Sequence, residues 1–215
     1  MKNIIRFIMY IIFLTIMEEK IDYFNRHYMD YDKWYDLHLK EYNDQINFIR
    51  SVIPEGNGIE IGVGTGRFAY ALNIKYGIDI SESMVSLAKM RGINALVASA
   101  YSIPYPDKYF DFSLNMVTIC FLDFPEKAIM EAKRVSKDCI TVILDKNCEY
   151  VNNIIKNPAG FYRYAKFYSF EEIMNIYKIL DLNILNIKFM IFIQIIMLNI
   201  GWWQFQENNQ VITCN

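Results

Sequence analysis

Glycine and proline are both scarce in this chain, at nine and five of 215 residues. So few turn-formers exclude a collagen-like, linker-rich or low-complexity protein. Histidine is rarer still, with two copies, and the four cysteines (Cys120, Cys139, Cys148, Cys214) never form a CxxC pair. That spacing supports neither a zinc site nor a disulfide framework, so no metal is expected. The cysteines read as small buried apolar side chains of a cytoplasmic, reducing environment. Lysine and arginine are spread without a basic block, and the formal net charge is −2. The electrostatic footprint of a nucleic-acid-binding protein is therefore missing. No apolar run reaches the roughly 20 residues that a membrane-spanning helix needs.

What is present describes one globular domain, with 53% apolar and 21% charged residues. The N-terminus, "MKNIIRFIMYIIFLTIM", carries Lys2 and Arg6 and then an apolar run from Phe7 to Met17. Glu18, Glu19 and Lys20 follow it, where a signal peptide would show a small-residue cleavage site. Three readings stay open: a start placed too early, with Met17 opening the working protein; an extra element packed on the domain; or a membrane-associating anchor. The expected organisation is residues 1–16 as an apolar extension and 17–215 as a single domain, with membrane association only through the extension.

From Glu18 to Ile53 the pattern is helical, with Leu39, Tyr42, Ile46 and Ile49 at amphipathic spacing, and "PEGNG" breaks it. The chain then alternates. "GIEIG", "KYGIDI", "INALVAS", "FDFSLNMVTI" and "DCITVILD" read as strands, separated by helix-like stretches such as "SESMVSLAKMRG" and "DFPEKAIMEAKRVS". Strands and helices in turn predict an α/β fold, Rossmann-like and doubly wound, with a mostly parallel sheet covered on both faces. Beyond Asp145, "KNCEYVNNIIKNPAGFYRYAKFY" reads as an excursion over the active face. "SFEEIMNIYKILD" reads as a helix with Ser169 and Glu172 at capping-box spacing. "LNILNIKFMIFIQIIMLNIGWW" is β-rich and predicts an antiparallel C-terminal edge, which "NQVITC" closes.

Five of the nine glycines fall between Gly56 and Gly66, after the first strand and before a helix. Ligands of parallel α/β sheets bind there, because glycine lets the backbone turn sharply and approach a ligand closely. A P-loop would need Lys-Ser or Lys-Thr after its last glycine, and Arg67-Phe68 stand there instead. A dinucleotide fingerprint would place its third glycine where Arg67 stands, which disfavours a nicotinamide oxidoreductase. The sequence instead reads Glu60, Gly62, Gly64, Gly66, an acid followed by alternate glycines. The acid suits a ligand with an amine near the turn. Asp79, ending the second strand, can take both hydroxyls of a ribose.

With "EIGVGTGRF", "GIDISESMVSLAK" and "ASAYSIPYPDKYFDFSLNMVTICFLDFPEKAIMEAKRV" in this order, the stretch from Asn57 to Val135 resembles the class I S-adenosylmethionine-dependent methyltransferases. It is most similar to the small-molecule branch that includes the ubiquinone and menaquinone methyltransferases. The resemblance implies S-adenosylmethionine as cofactor and a small-molecule methyl acceptor. It places Glu60, Gly62, Gly64 and Gly66 at the methionine end, Asp79 at the ribose, and Ile80 and Met84 near the adenine. Ser99, Ala100 and Tyr101 stand where the family usually has Asp-Ala-Glu beside the adenine. Asn115 and Met116 would lie beside the donor sulfur. The aromatic N-terminal segment resembles the family's approach segment, a helical lid over the substrate. Tyr28, Tyr31 and Trp34 from that segment, with Tyr162 and Arg163 from the later loop, are the substrate-contact candidates. No residue is assigned as a general acid or base, since methyl transfer chiefly needs alignment and the exclusion of water. The alternative is a non-catalytic domain of the same fold that binds the cofactor or a partner.

Overall fold

A computed structural model describes residues 2–182, 184–190 and 193–198 of the chain. It opens with a long helix, α1 (Lys2–Leu37), whose backbone leaves helical geometry at His27 (φ −109°, ψ 16°). After the single non-helical residue His38 comes α2 (Leu39–Arg50), which turns Ile46 and Ile49 into the core. The alternation follows: β1 (Gly58–Ile61), α3 (Arg67–Ala71), β2 (Tyr76–Asp79), α4 (Glu82–Met90), β3 (Asn94–Val97), β4 (Phe110–Met116), α5 (Pro125–Val135) and β5 (Ser136–Leu144). Ser81 caps α4 by accepting from the Met84 N–H, and Pro125 sits in the first turn of α5, where its missing N–H costs nothing.

The strands lie in the order β3-β2-β1-β4-β5, all parallel. β7 (Ile193–Leu198) pairs antiparallel with β5, and β6 (Ile184–Met190) pairs antiparallel with β7 on the outside. Sequential strands run outward from β1 in one direction and then, from β4, in the other. That reversal opens a crevice at the strands' carboxyl ends. All four residues of β1 are buried, as a central strand covered on both faces requires. One core layer, with Ile49, Phe68, Val85 and Leu114, lies under α2, α3 and α4. The other, with Ile59, Ile129, Ile173 and Tyr177, lies under α5 and α7 (Phe170–Ile179).

The stretch after Asp145 is more ordered than its composition suggests. It holds a helix, α6 (Glu149–Lys156), which buries Val151, and then a 3-10 turn over Gly160–Tyr164. Tyr150, Val151, Ile154 and Ile155 do recur at helical spacing, but a helix of eight residues among asparagines is short for a pattern reading. The capping box at Ser169 and Glu172 forms as the spacing predicts. The closing "NQVITC" stretch lies outside the described residues.

The N-terminal part of α1 does not pack on the domain. Its exposed large apolar side chains run from 45% exposure at Ile11 to 65% at Phe7 and Met9, with Leu14 half-buried, which goes against a packed element. The helix meets the domain at Glu19, which accepts from the Tyr164 hydroxyl at 3.1 Å, and at Lys20, which donates to the Phe121 carbonyl at 2.9 Å. We propose residues 17–215 as the folding unit. A chain beginning at Met17 should unfold within about 0.5 kcal/mol of the full chain in urea, since none of the described side chains it loses is fully buried. A much larger loss would place Ile4 to Ile16 in the cooperative core.

Candidate cofactor site and its cover

The turn after β1 is built from three left-handed residues, Gly62 (φ +74°), Gly64 (φ +51°) and Gly66 (φ +82°). Positive φ is open to glycine and costly for other residues. Space is as restrictive as dihedral angle: a Cβ on Gly62 would run into the Thr118 side chain, and one on Gly66 would sit 3.0 Å from Ala88. A Cβ on Gly64 would lie 3.4 Å from the Tyr31 ring. The Gly62 and Val63 N–H groups both donate to the Ile78 carbonyl at 2.8 Å, which ties the turn to β2. Asp79 reinforces the tie, accepting from Gly64 N–H and Ser81 N–H at 2.9 Å each. Its carboxylate thus sits between the glycine turn and the start of α4, where burial raises its pKa.

Glu60 is 2% exposed, and its Oε2 atom has no hydrogen-bond partner. Burial pushes its pKa well above the usual carboxylate range, a little offset by the Ala69 N–H and reinforced by the nearby charge of Asp79. A buried carboxylate with an orphaned oxygen, beside a turn only glycine can make, is a cradle for a ligand that brings a cation. A small cavity there is lined by Glu60, Gly62, Tyr31, Tyr35, Arg67 and Met116.

Helix α1 covers this cradle and is fastened to it at two places. Asn25 Oδ1 accepts from the Ser81 hydroxyl at 2.7 Å and the Ser83 N–H at 3.2 Å, at the start of α4. One helical stretch later, Asp32 takes a two-pronged contact from Arg67, at 2.9 Å for each prong, and a third from Arg91 at 2.6 Å. Arg67 also meets Asp36 at 2.8 Å, and Arg91 donates to the Thr65 carbonyl at 2.5 Å. Burial alone would raise the Asp32 pKa, but its hydrogen bonds, led by those from the two guanidinium groups, hold it at about 2. Between these fastenings Tyr31 and Tyr35 share a 2.8 Å hydroxyl contact, and burial raises both hydroxyl pKa values.

The other candidates divide. Met116 lines the cavity, whereas strand alternation turns Asn115 to the opposite sheet face, in register with Thr141, with both of its amide atoms unpartnered. Only the backbone of Asn115 can serve the site. Met84 is 1% exposed inside α4, and Ile80 stands at the rim, 43% exposed. Ser99, Ala100 and Tyr101 are half-buried after β3, but Tyr101 turns its hydroxyl to the Asp123 and Phe124 N–H groups, at 2.9 and 3.2 Å. Its hydroxyl thus serves the start of α5, which leaves the ring and backbone of Tyr101 for the expected place beside the adenine. Ser99 Oγ accepts from the Tyr101 N–H at 3.1 Å and holds that turn.

Among the substrate candidates, Tyr28 and Tyr31 are half-buried on α1, and Tyr31 meets Phe161 edge-on at 5.3 Å. Tyr162 stacks near-parallel to Phe121 at 6.3 Å, and burial raises its hydroxyl pKa. Trp34 instead stacks on His38 at 4.1 Å on the outer side of the helix, 37% exposed. Arg163 lies over the Tyr23 ring at 4.9 Å and is exposed. Neither faces the cradle. Tyr35, one residue along from Trp34, takes the inward place against Phe68. Asp32, Arg91 and Asn25 escape a sequence reading because their partners lie 26 to 59 residues away.

This fold and turn define a Rossmann-like domain for a nucleoside-bearing cofactor. Residues 59–139 match the family model described as a methyltransferase domain. Over 171 residues the chain is 39% identical to an uncharacterized protein of Methanocaldococcus jannaschii, covering 77% of this chain and 82% of that one. A Thermotoga maritima structure, described as an S-adenosylmethionine-dependent methyltransferase and possible histamine N-methyltransferase, is 32% identical with a TM-score of 0.76. That alignment covers 82% of this chain and 98% of the other. The magnesium protoporphyrin IX methyltransferase of Synechocystis, solved with bound S-adenosylhomocysteine, shares the fold at 15% identity, with a TM-score of 0.62 over 83% of this chain and 97% of its own. The chain belongs to the S-adenosylmethionine-dependent methyltransferases, and S-adenosylmethionine is its cofactor.

The Asp32 cluster makes a clear stability prediction. Asp32→Ala leaves two guanidinium groups facing each other in a half-buried place, and should cost about 1–3 kcal/mol in urea unfolding. Because the folded pKa of Asp32 is depressed to about 2, its stabilisation is present above the ordinary value near 3.8 and fades as pH falls toward about 2. The variant should therefore lose less stability than the parent between about pH 4 and pH 2.

Proposed function

We propose that this methyltransferase acts on a small, flat and largely apolar acceptor, held against an aromatic wall beside the cofactor cradle. One observation carries the reading: three separate stretches of chain bring aromatic rings together there. Phe24 of α1 lies 5.4 Å from Phe121 and 5.0 Å from Phe161, and Phe161 also meets Tyr23 and Tyr31 at 5.3 Å each. Rings converging from α1, the turn after β4 and the 3-10 turn after α6 favour a ligand enclosed between them over a broad macromolecular surface. The Thermotoga maritima relative, by its description, would also act on a small molecule.

The residues fit the cofactor. Glu60, with its unpartnered oxygen, would receive the amine of the methionine end, and Asp79 the ribose hydroxyls. Gly62, Gly64 and Gly66, where a Cβ would crowd Thr118, Tyr31 and Ala88, would let the backbone come close to it. The cofactor supplies a methyl group activated by a positive sulfur. The chain has to hold the acceptor in line with it and keep water away, and the ring faces around the site can favour the positive charge. Tyr101 and Ser99 depart from the usual acids, yet Tyr101 is accounted for by its place at α5, so that change does not speak for a domain without activity.

Two expectations follow. S-adenosylmethionine binding should release protons over the pH range in which burial keeps Glu60 protonated, because an incoming ammonium lowers its raised pKa. Calorimetry in buffers of different ionisation enthalpy reads this directly. Glu60→Gln should abolish the release and weaken binding; a buffer-independent enthalpy in the parent would take Glu60 out of the site. For the acceptor, Phe161→Ala and Tyr162→Ala should lower methyl transfer at least about tenfold while cofactor affinity stays within about threefold, or 0.6 kcal/mol. Trp34→Ala should leave both unchanged. Equal loss of cofactor binding and transfer in the first two variants would reduce the rings to scaffolding.

A further inference from the structure

The exposed start of α1 is patterned, though its composition looks uniformly apolar. Ile4, Ile5, Ile8, Ile11, Ile12 and Ile16 follow the spacing of one helix face. At 100° per residue they span an arc of about 140°. Each of them is between 45% and 63% exposed, with no partner from the domain among the described residues. Arg6 and Tyr10, four residues apart, fall on the opposite side, which half-buried Leu14 and Met17 share nearer the domain; Lys2 precedes Arg6 by four residues in the sequence. Glu18 and Glu19 come only where the helix reaches the domain.

We propose that residues 4–16 dock in the plane of an anionic lipid surface, isoleucines toward the acyl chains and the Arg6 side toward the headgroups. Three features select lipid over other occupants. The apolar stretch from Ile4 to Ile16 is about 20 Å long at 1.5 Å per residue, short of the ~30 Å needed to cross a bilayer. No helix among the described residues is long and apolar enough to cross a membrane. A second copy pairing through this helix would need a narrow seam sustained over about three or more heptads, whereas this stripe is wide and shorter than two. Arg6 on the back of the stripe, with Lys2 before it in the sequence and no acid before Glu18, complements anionic headgroups. The helix also leaves the domain beside the aromatic wall: Lys20 donates to Phe121, and Tyr23 touches Phe161. A surface bound by residues 4–16 would lie near that wall.

Co-sedimentation of the full chain with vesicles tests this. Vesicles of phosphatidylcholine with phosphatidylglycerol should pellet the protein, and phosphatidylcholine alone should do so at least about tenfold less well. Ile8→Glu/Ile12→Glu should abolish pelleting while S-adenosylhomocysteine affinity stays unchanged. Arg6→Gln should weaken capture by the anionic vesicles and flatten its dependence on salt. No pelleting of the parent, or a double variant captured as well as the parent, would overturn the proposal. So would a lipid-free dimer that the double variant splits, with vesicles capturing neither protein, because the occupant would then be a second copy. Equal capture of Arg6→Gln and parent at every salt concentration would remove the headgroup contact on which the choice of lipid rests.

Discussion

The working end of this domain depends on a turn whose dihedral angles other residues rarely adopt. With Gly62, Gly64 and Gly66 all at positive φ, the chain leaves β1, doubles back to hydrogen-bond Ile78 in β2, and enters α3 within a few residues. The turn is crowded from three sides: Thr118 against Gly62, Tyr31 against Gly64 and Ala88 against Gly66. Those contacts come from the turn after β4, from α1 and from α4, so the glycines let three elements close on one point. Asp79 completes the arrangement by accepting from both the turn and the start of α4. A side chain at any of the three positions would push apart elements whose convergence creates the site.

The cover is held by charge. Helix α1 contributes few side chains to the central core, and Tyr35 is its one deeply buried apolar residue among those described. Its position rests on Asp32 between Arg67 and Arg91 and on Asn25 at the start of α4. Arg67 belongs to the first turn of α3 and Arg91 to the end of α4, the two helices that flank the glycine turn. Cover and turn are therefore coupled: a shift of α1 would expose half-buried guanidinium groups, and a shift of either flanking helix would pull on the cover. Ion pairs of this kind contribute geometry more surely than net stability.

Much of this was legible in the sequence because its signals are local. Alternate glycines, an acid before them and an acid ending the next strand are short-range patterns, and the strand–helix rhythm dictates a parallel sheet. What the sequence hides is of a different kind. Tyr101 stands at the expected place after β3 but spends its hydroxyl on α5, a partner more than twenty residues on. Trp34 and Tyr35 are adjacent, and aromatic content alone does not say which one a kinked helix turns inward. Asn115 and Met116 likewise sit side by side on faces of opposite fate. Composition locates such a segment; orientation within it depends on contacts that close only in three dimensions.

Burial gives the site a chemical character that bears on the proposed reading. Removal from water raises the pKa values of Tyr31, Tyr35, Tyr162 and Cys120, so at neutral pH their hydroxyl and thiol groups keep their protons. Of the histidines, His38 is stacked on Trp34, and His27 stacks behind Tyr23 of the aromatic wall at 4.2 Å with its Nδ1 paired to Asp30. With Glu60 and Asp79 given to the cofactor in the proposed arrangement, the surroundings of the cradle are good at excluding water and hold few groups suited to removing a proton. An acceptor matched to such a place brings a nucleophile with a free electron pair at working pH, such as an uncharged amine or an already ionised oxygen. For such an acceptor, alignment and dryness are the useful contributions, and an aromatic wall clasped to a glycine turn by charged side chains provides both.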